Sequence, residues 1–257
     1  MKQPAWFLGH GAPFHTLGDN LFTRFWQTLP GRLPVQPRAV LCISAHWQEP
    51  KLTIAGRTAK PAIQHDFYGF SEELYRISWP VPDGNDEGCW LLEQLEATGI
   101  AVSEAPERAF DHGVWTPLRR VWPLMPLPLF QLSLVTGWQG EDYLLLGQKL
   151  ARLREQGILI IGSGNLTHNL QDLDWHATQG TAVSWATDFM EALEQAIVTR
   201  DSEALVAPLQ LPHGKHAHPT LEHYWPLLPV IASGDIEPEA LIREWTFGTL
   251  AMHSYTL

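Results

Sequence analysis

Residues 141–168 read EDYLLLGQKLARLREQGILIIGSGNLTH, and this stretch decides the fold class. Positions 141–156 have the apolar spacing of an amphipathic helix, and Gly157 ends it. Positions 158–162 form the most apolar run in the chain, which breaks into Ser163, Gly164 and Asn165. A short apolar run ending in Gly, Ser and Asn reads as a buried strand passing into a loop. That loop carries a histidine, His168, just past the strand end.

The same grammar extends outward on both sides. Strands are expected at 5–8, 39–44, 52–55, 100–103, 127–135 and 244–251. Helices are expected at 19–29, with Asp19 or Asn20 as N-cap, and at 86–98, with an acidic first turn and Gly99 beyond its end. Two more are expected at 181–199 and at 221–232, the latter despite Pro226 and Pro229. Strands alternating with helices indicate a layered α/β fold. No linker, repeat or composition break divides the 257 residues. The expectation is one domain, 1–257, with a mostly buried central mixed sheet flanked by helices.

Histidines stand where such a sheet would place a site. His10 follows AWFLG, His46 follows AVLCISA, His168 follows the run at 158–162, and His223 lies in HPTLEHYWPLL. Ligands of open α/β sheets bind beyond the carboxyl ends of the strands, and clustered imidazoles most often mean a metal. His10 has glycines on both sides, which permits close approach of another group. His46 reads equally as a satisfied histidine at a strand end. Glu222 or His223 could serve as a ligand, or Glu222 could simply sit in a helix first turn. Gly162-Ser163-Gly164-Asn165 also has the look of an anion-binding nest, without a P-loop's lysine and spacing. His112, in Phe110-Asp111-His112-Gly113, reads as part of a tight, partly buried turn, either as a general acid or base or as a structural histidine. His213, His216 and His218, in HGKHAH, read either as a metal tract or as a solvated loop. His65 is a candidate pocket wall with Phe67 and Phe70.

Composition narrows the classes. The formal net charge of −11 argues against nucleic acid or an anionic membrane as partner. No apolar stretch approaches the roughly 20 residues that span a bilayer. Cys42 and Cys89 form no CxxC pair, and the opening AWFL is too short for a signal-peptide core, so a cytoplasmic protein is expected. HExxH, GxSxG and a GxGxxG after the first strand are all missing, so no zinc-peptidase helix, nucleophile elbow or dinucleotide cofactor is expected.

Six motifs then occur in order: GHGAP (9–13), SAHW (44–47), HDFYGF (65–70), FDHGVW (110–115), GSGNLTHNL (162–170) and HPTLEHYWPLL (218–228). The chain resembles the DOPA 4,5-dioxygenase group of the class III extradiol ring-cleavage dioxygenases, from Gly9 through Tyr224 and on into GTLAMHSY at 248–255. Ala12 stands where that group commonly has Ser, and Leu221 where it often has Pro. The resemblance implies that His10, His46 and His223 are metal ligands. It implies that His168 is a fourth ligand or a base, and that His112 contacts substrate or dioxygen. It implies one divalent ion, Fe(II) or Zn(II), and small-molecule partners, a catechol such as L-DOPA and dioxygen, giving a muconic semialdehyde. A zinc hydrolase using a metal-bound hydroxide would employ the same histidines. A non-catalytic metal protein would rely on the HGKHAH loop. Oligomeric state is open at this level.

Overall fold

The structure, a computed structural model, describes residues 1–257. Its strands are β1 (Ala5–Gly9), β2 (Ala39–Glu49), β3 (Thr53–Ala55), β4 (Ser103–Glu104), β5 (Leu129–Val135), β6 (Ile158–Gly164), β7 (Glu239–Ile242), β8 (Trp245–Thr246), β9 (Leu250–Ala251) and β10 (Ser254–Thr256). Eight of them form one mixed sheet in the order β4-β3-β5-β2-β6-β1-β10-β7, while β8 and β9 pair separately. The four central strands, β5, β2, β6 and β1, are mutually parallel. β3 and β10 join them antiparallel at either side.

The apolar runs belong to this centre because a parallel sheet is covered on both faces. Side chains alternate along each strand. Ala39, Leu41 and Ile43 join Ile158 and Ile160 in one core, with the helices Gly140–Glu155, Ser184–Thr199 and Leu227–Ser233 packed over it. Val40 and Cys42 join Leu159 and Ile161 in a second core, under the helices Leu21–Thr28 and His112–Val121. Cys42 is thus a packed hydrophobe, and burial pushes its thiol pKa well up. No helix is long and apolar enough to cross a membrane.

Several boundaries differ from expectation, each for a local reason. The 244–251 run is not one strand but the hairpin β8–β9, because Phe247 (φ 56°) and Gly248 (φ 69°) both take the left-handed conformation. The chain closes instead with β10, antiparallel to β1. The helix expected from 221 begins only at Leu227, with Pro226 at its N-cap, where a missing N–H costs nothing. The 100–103 strand shifts to the two-residue edge strand β4. β7, a half-buried edge strand, gave no clear sequence signal. His112 opens a helix, His112–Val121 with Asp111 at its N-cap, rather than sitting in a turn.

Candidate metal centre and its cavity

The four parallel strands end on one side of the sheet, and the candidate histidines are gathered there. His10 follows β1 directly, and its N–H donates to Gly164 O at 3.1 Å. His46 lies inside β2, not beyond it. The β2–β5 register jumps from Ile43↔Leu132 to Gln48↔Leu134, so residues 44–47 stand against Ser133 alone. Such bulges re-aim side chains beside active sites. His223 arrives on the turn before Leu227, seated against the end of β6. Asn165 N–H donates to His223 O at 3.1 Å. At Gly164 a Cβ would collide with that same carbonyl. The glycines of the 162–165 segment therefore serve close packing, and the Asn165 N–H, engaged by His223, does not form an anion nest.

Three imidazole nitrogens converge. His46 Nε2 lies 3.0 Å from His10 Nε2 and 3.3 Å from His223 Nε2. The outer nitrogens of two of these rings fix their tautomers. Ser163 Oγ donates to Gly113 O at 2.5 Å, so it accepts from His10 Nδ1–H at 2.9 Å. His223 Nδ1–H donates to Glu222 Oε1 at 3.1 Å. Both rings thus turn an Nε2 lone pair toward His46 Nε2, a single nitrogen that can donate to only one of them. A cation at the convergence satisfies all three. With metal–nitrogen bonds of about 2.1 Å, separations of 3.0 and 3.3 Å subtend angles of about 90° and about 104° at one ion. The residues present therefore fit a divalent metal. Burial, and then the other imidazoles around them, hold the pKa of His10 and of His223 well below the ordinary range; burial does the same for His46, with His112 next. Neutral rings are what a metal requires.

Two other groups of donors lie close enough to share an ion, His46–Asp66–His112 and His168–Glu222–His223. Their carboxylates are already engaged. Asp66 accepts the His112 backbone N–H at 2.9 Å and its Nδ1–H at 3.0 Å. Glu222 accepts from His223 and from Thr220 Oγ. The two bonds to Asp66 leave His112 Nε2 as the free nitrogen of that ring. Burial alone would raise the Asp66 carboxyl, but the His112 bonds and charge together bring it below the usual carboxylate range.

His168 lies beside the trio rather than in it. Its ring stacks on His223, with centroids 3.4 Å apart and planes 10° from parallel. Its Nδ1 is 3.9 Å from Glu222 Oε1, too far for a hydrogen bond. Burial, then the nearby His218 and His112, push its pKa down to about 3.

All five histidines and Asp66 line one cavity of about 540 Å³. Phe67 and Phe70 line it too, but His65 does not; its ring packs against Trp115 and Tyr75 behind the wall. The HGKHAH histidines point apart. His213 faces Asp188 at 3.4 Å, His216 pairs with Asp172, and His218 bonds Leu166 O at 2.8 Å.

Asp66, Ser163 and Asp111 escaped sequence reasoning. Asp111 is fully buried, accepting from Ser44 Oγ at 2.6 Å and from Gln131, while Ser44 Oγ accepts the His46 N–H at 3.3 Å. This network ties the bulge that carries His46 to the helix that begins at His112. Burial, then the charge of Asp66, raise the Asp111 carboxyl pKa. The HDFYGF and GSGNLTHNL motifs contain two of the three residues, but their partners lie 46 and 153 residues away, beyond any local pattern.

Comparison with known proteins identifies the family. The chain is 36% identical over 237 residues to a 4,5-DOPA dioxygenase extradiol from Escherichia coli (strain K12), covering 91% of this chain and 86% of that one. It is 31% identical to a protein of the same name from Beta vulgaris, covering 98% and 96%. The crystal structure of an uncharacterized protein from Escherichia coli K12 superposes with a TM-score of 0.82 at 31% identity, over the full length of both chains. Residues 9–247 match the family described as the catalytic LigB subunit of aromatic ring-opening dioxygenase. The chain belongs to that family of extradiol dioxygenases.

Proposed function

We propose that this enzyme opens a catechol ring beside its diol, inserting both atoms of dioxygen to give a muconic semialdehyde, with Fe(II) held by His10, His46 and His223. The observation that carries the reading is the trio of Nε2 atoms at 3.0 and 3.3 Å, at the floor of a cavity with aromatic walls. Three protein ligands leave positions for both reactants. A bound Fe(II) supplies Lewis acidity toward the catechol oxygens and a redox path to dioxygen that Zn(II) lacks.

The remaining work falls to residues of the chain. His168, neutral and outside the ligand trio, takes a proton from the incoming catechol hydroxyl. His112 presents Nε2 to the cavity because Asp66 holds its Nδ1–H. There Nε2 takes the second proton released by the catechol; the imidazolium so formed stabilises negative charge developing on oxygen and returns the proton as the O–O bond breaks. Asp66 stabilises His112 when it carries that proton. Phe67 and Phe70 hold the ring and exclude water.

The test is anaerobic reconstitution of metal-free protein with Fe(II), then oxygen uptake with a small catechol panel. Catechol-dependent uptake with a yellow semialdehyde product, lost with Zn(II), is expected. Tight metal binding with no uptake on any catechol would overturn the reading and favour a hydrolytic use of the same centre.

A further inference from the structure

We infer that the substrate is a catechol whose side chain is uncharged and apolar, and that a side-chain carboxylate is selected against. This rests on the ring-cleavage reading above and narrows its substrate class. The chain has 17 Lys and Arg residues, and none lines the cavity. The ionised wall residue is Asp66, itself an anion.

Backbone donors do not compensate. In the loop after β1, His10 N–H donates to Gly164 O, Gly11 N–H to Asn165 Oδ1, and Ala12 N–H to His15 Nδ1. The Asn165 amide N–H groups point to Ala251 O and Met252 S. The polar edge of the cavity nearest the metal trio is therefore internally satisfied. A substrate carboxylate would meet no Lys or Arg counter-charge and no free backbone donor there, and burying a charge without a counter-charge is costly.

The outer cavity is built for a different tail. Phe70, Leu170, Leu173, Trp175 and Phe247 surround it, with Trp175 and Phe247 rings 4.6 Å apart. Leu170 and Trp175 are 63% and 60% exposed, so apolar surface stands open at the mouth. At about 540 Å³ the cavity also lies in the range that takes ligands larger than one ring. An apolar tail buries this surface; a charged one leaves it wet.

The probes are three catechols that share the ring and differ in the tail: propyl, propionate, and the amino-acid tail of L-DOPA. Their affinities are measured by anaerobic calorimetry on the Fe(II)-loaded protein, and oxygen uptake is measured separately. The propyl compound is expected to bind at least about tenfold more tightly than either charged one. Equal or tighter binding of the propionate compound or of L-DOPA overturns the inference. The binding order without any oxygen uptake leaves this specificity standing and removes the ring-cleavage reading. Rapid turnover of tightly bound L-DOPA does the reverse. One variant, Leu170→Arg, places a cation on an exposed part of the rim. It is expected to shift the propionate-to-propyl affinity ratio about tenfold toward propionate. An unchanged ratio contradicts a preference set by missing positive charge.

Discussion

Ser163→Ala removes one oxygen atom that does not touch the metal site, yet it should weaken that site. Ser163 is fully buried at the end of β6. Its hydroxyl accepts His10 Nδ1–H at 2.9 Å and donates to Gly113 O at 2.5 Å. Alanine leaves two buried polar groups unpaired. Each such group costs about 1–3 kcal/mol, which appears partly as lost stability. The ring of His10 also loses the bond that keeps its lone pair on Nε2. Groups that orient a metal-bound histidine are worth about 10- to 100-fold in metal affinity, or about 1.4–2.7 kcal/mol at RT ln 10 per decade.

The assay is competition of the protein against a chromophoric chelator for Fe(II) and for Zn(II), with thermal unfolding run in parallel. Ser163→Ala should lose about 10- to 100-fold in affinity for both ions. His223→Ala, which removes a donor outright, should lose more. If Ser163→Ala binds both ions as tightly as the parent while His223→Ala does not, the tautomer argument fails. His10 would then be oriented by something other than the Ser163–Gly113 relay.

Three further expectations follow from the same geometry. Asp66→Asn should lower kcat by about 100-fold or more with metal content unchanged, because the ring of His112 loses its charged partner; unchanged kcat would remove His112 from the proton chemistry. Gly164→Ala should destabilise the fold by about 1–3 kcal/mol and reduce bound metal, because its Cβ meets His223 O. Gly31→Ala, with open space at its Cβ, is the control that should do neither. Acid should destabilise the protein through His218, whose pKa burial pushes down from 6.5 to about 4. The unfolded chain binds that proton below pH 6.5 and the folded chain only below about 4, so stability falls as pH drops through this window and then levels off. The full difference is on the order of 3 kcal/mol at 1.36 kcal/mol per pKa unit. His218→Gln should flatten the dependence of Tm on pH between 7 and 5, and an unaltered slope would contradict the assignment.

What the sequence made legible, and what it hid, divides along one physical line. The central strands were readable because a strand covered on both faces must be apolar at nearly every position, as at 39–44 and 158–162, whatever its partners are. His10 and His168 were readable for the same reason: His10 comes directly after such a strand, and His168 lies in the loop that follows another. His46 was found as a residue but misplaced, since a bulge of four residues is decided by pairing with β5 and by the Ser44–Asp111 bond, not by anything in SAHW itself. The helix at His112 was hidden by its own composition. Gly113, Pro117 and the β-branched Val114 and Thr116 argue against a helix locally, and it forms because its face is covered by the second core.

Polar partnerships were the least legible. Asp66 with His112, and Ser163 with His10, are pairs whose members are chemically ordinary until the fold brings them within 3.0 Å. Which nitrogen of each ring faces the cluster depends on these partners, so the candidate histidines can be picked out in the sequence while their tautomers cannot. The same holds for selectivity. A missing charge has no motif, and the lack of Lys or Arg in the cavity wall becomes visible only when residues between 10 and 250 are folded around one volume. The six motifs carry the five histidines that line the candidate site. The wall residues between and beyond them, Leu173, Trp175 and Phe247 among them, are expected to decide which catechol reaches it.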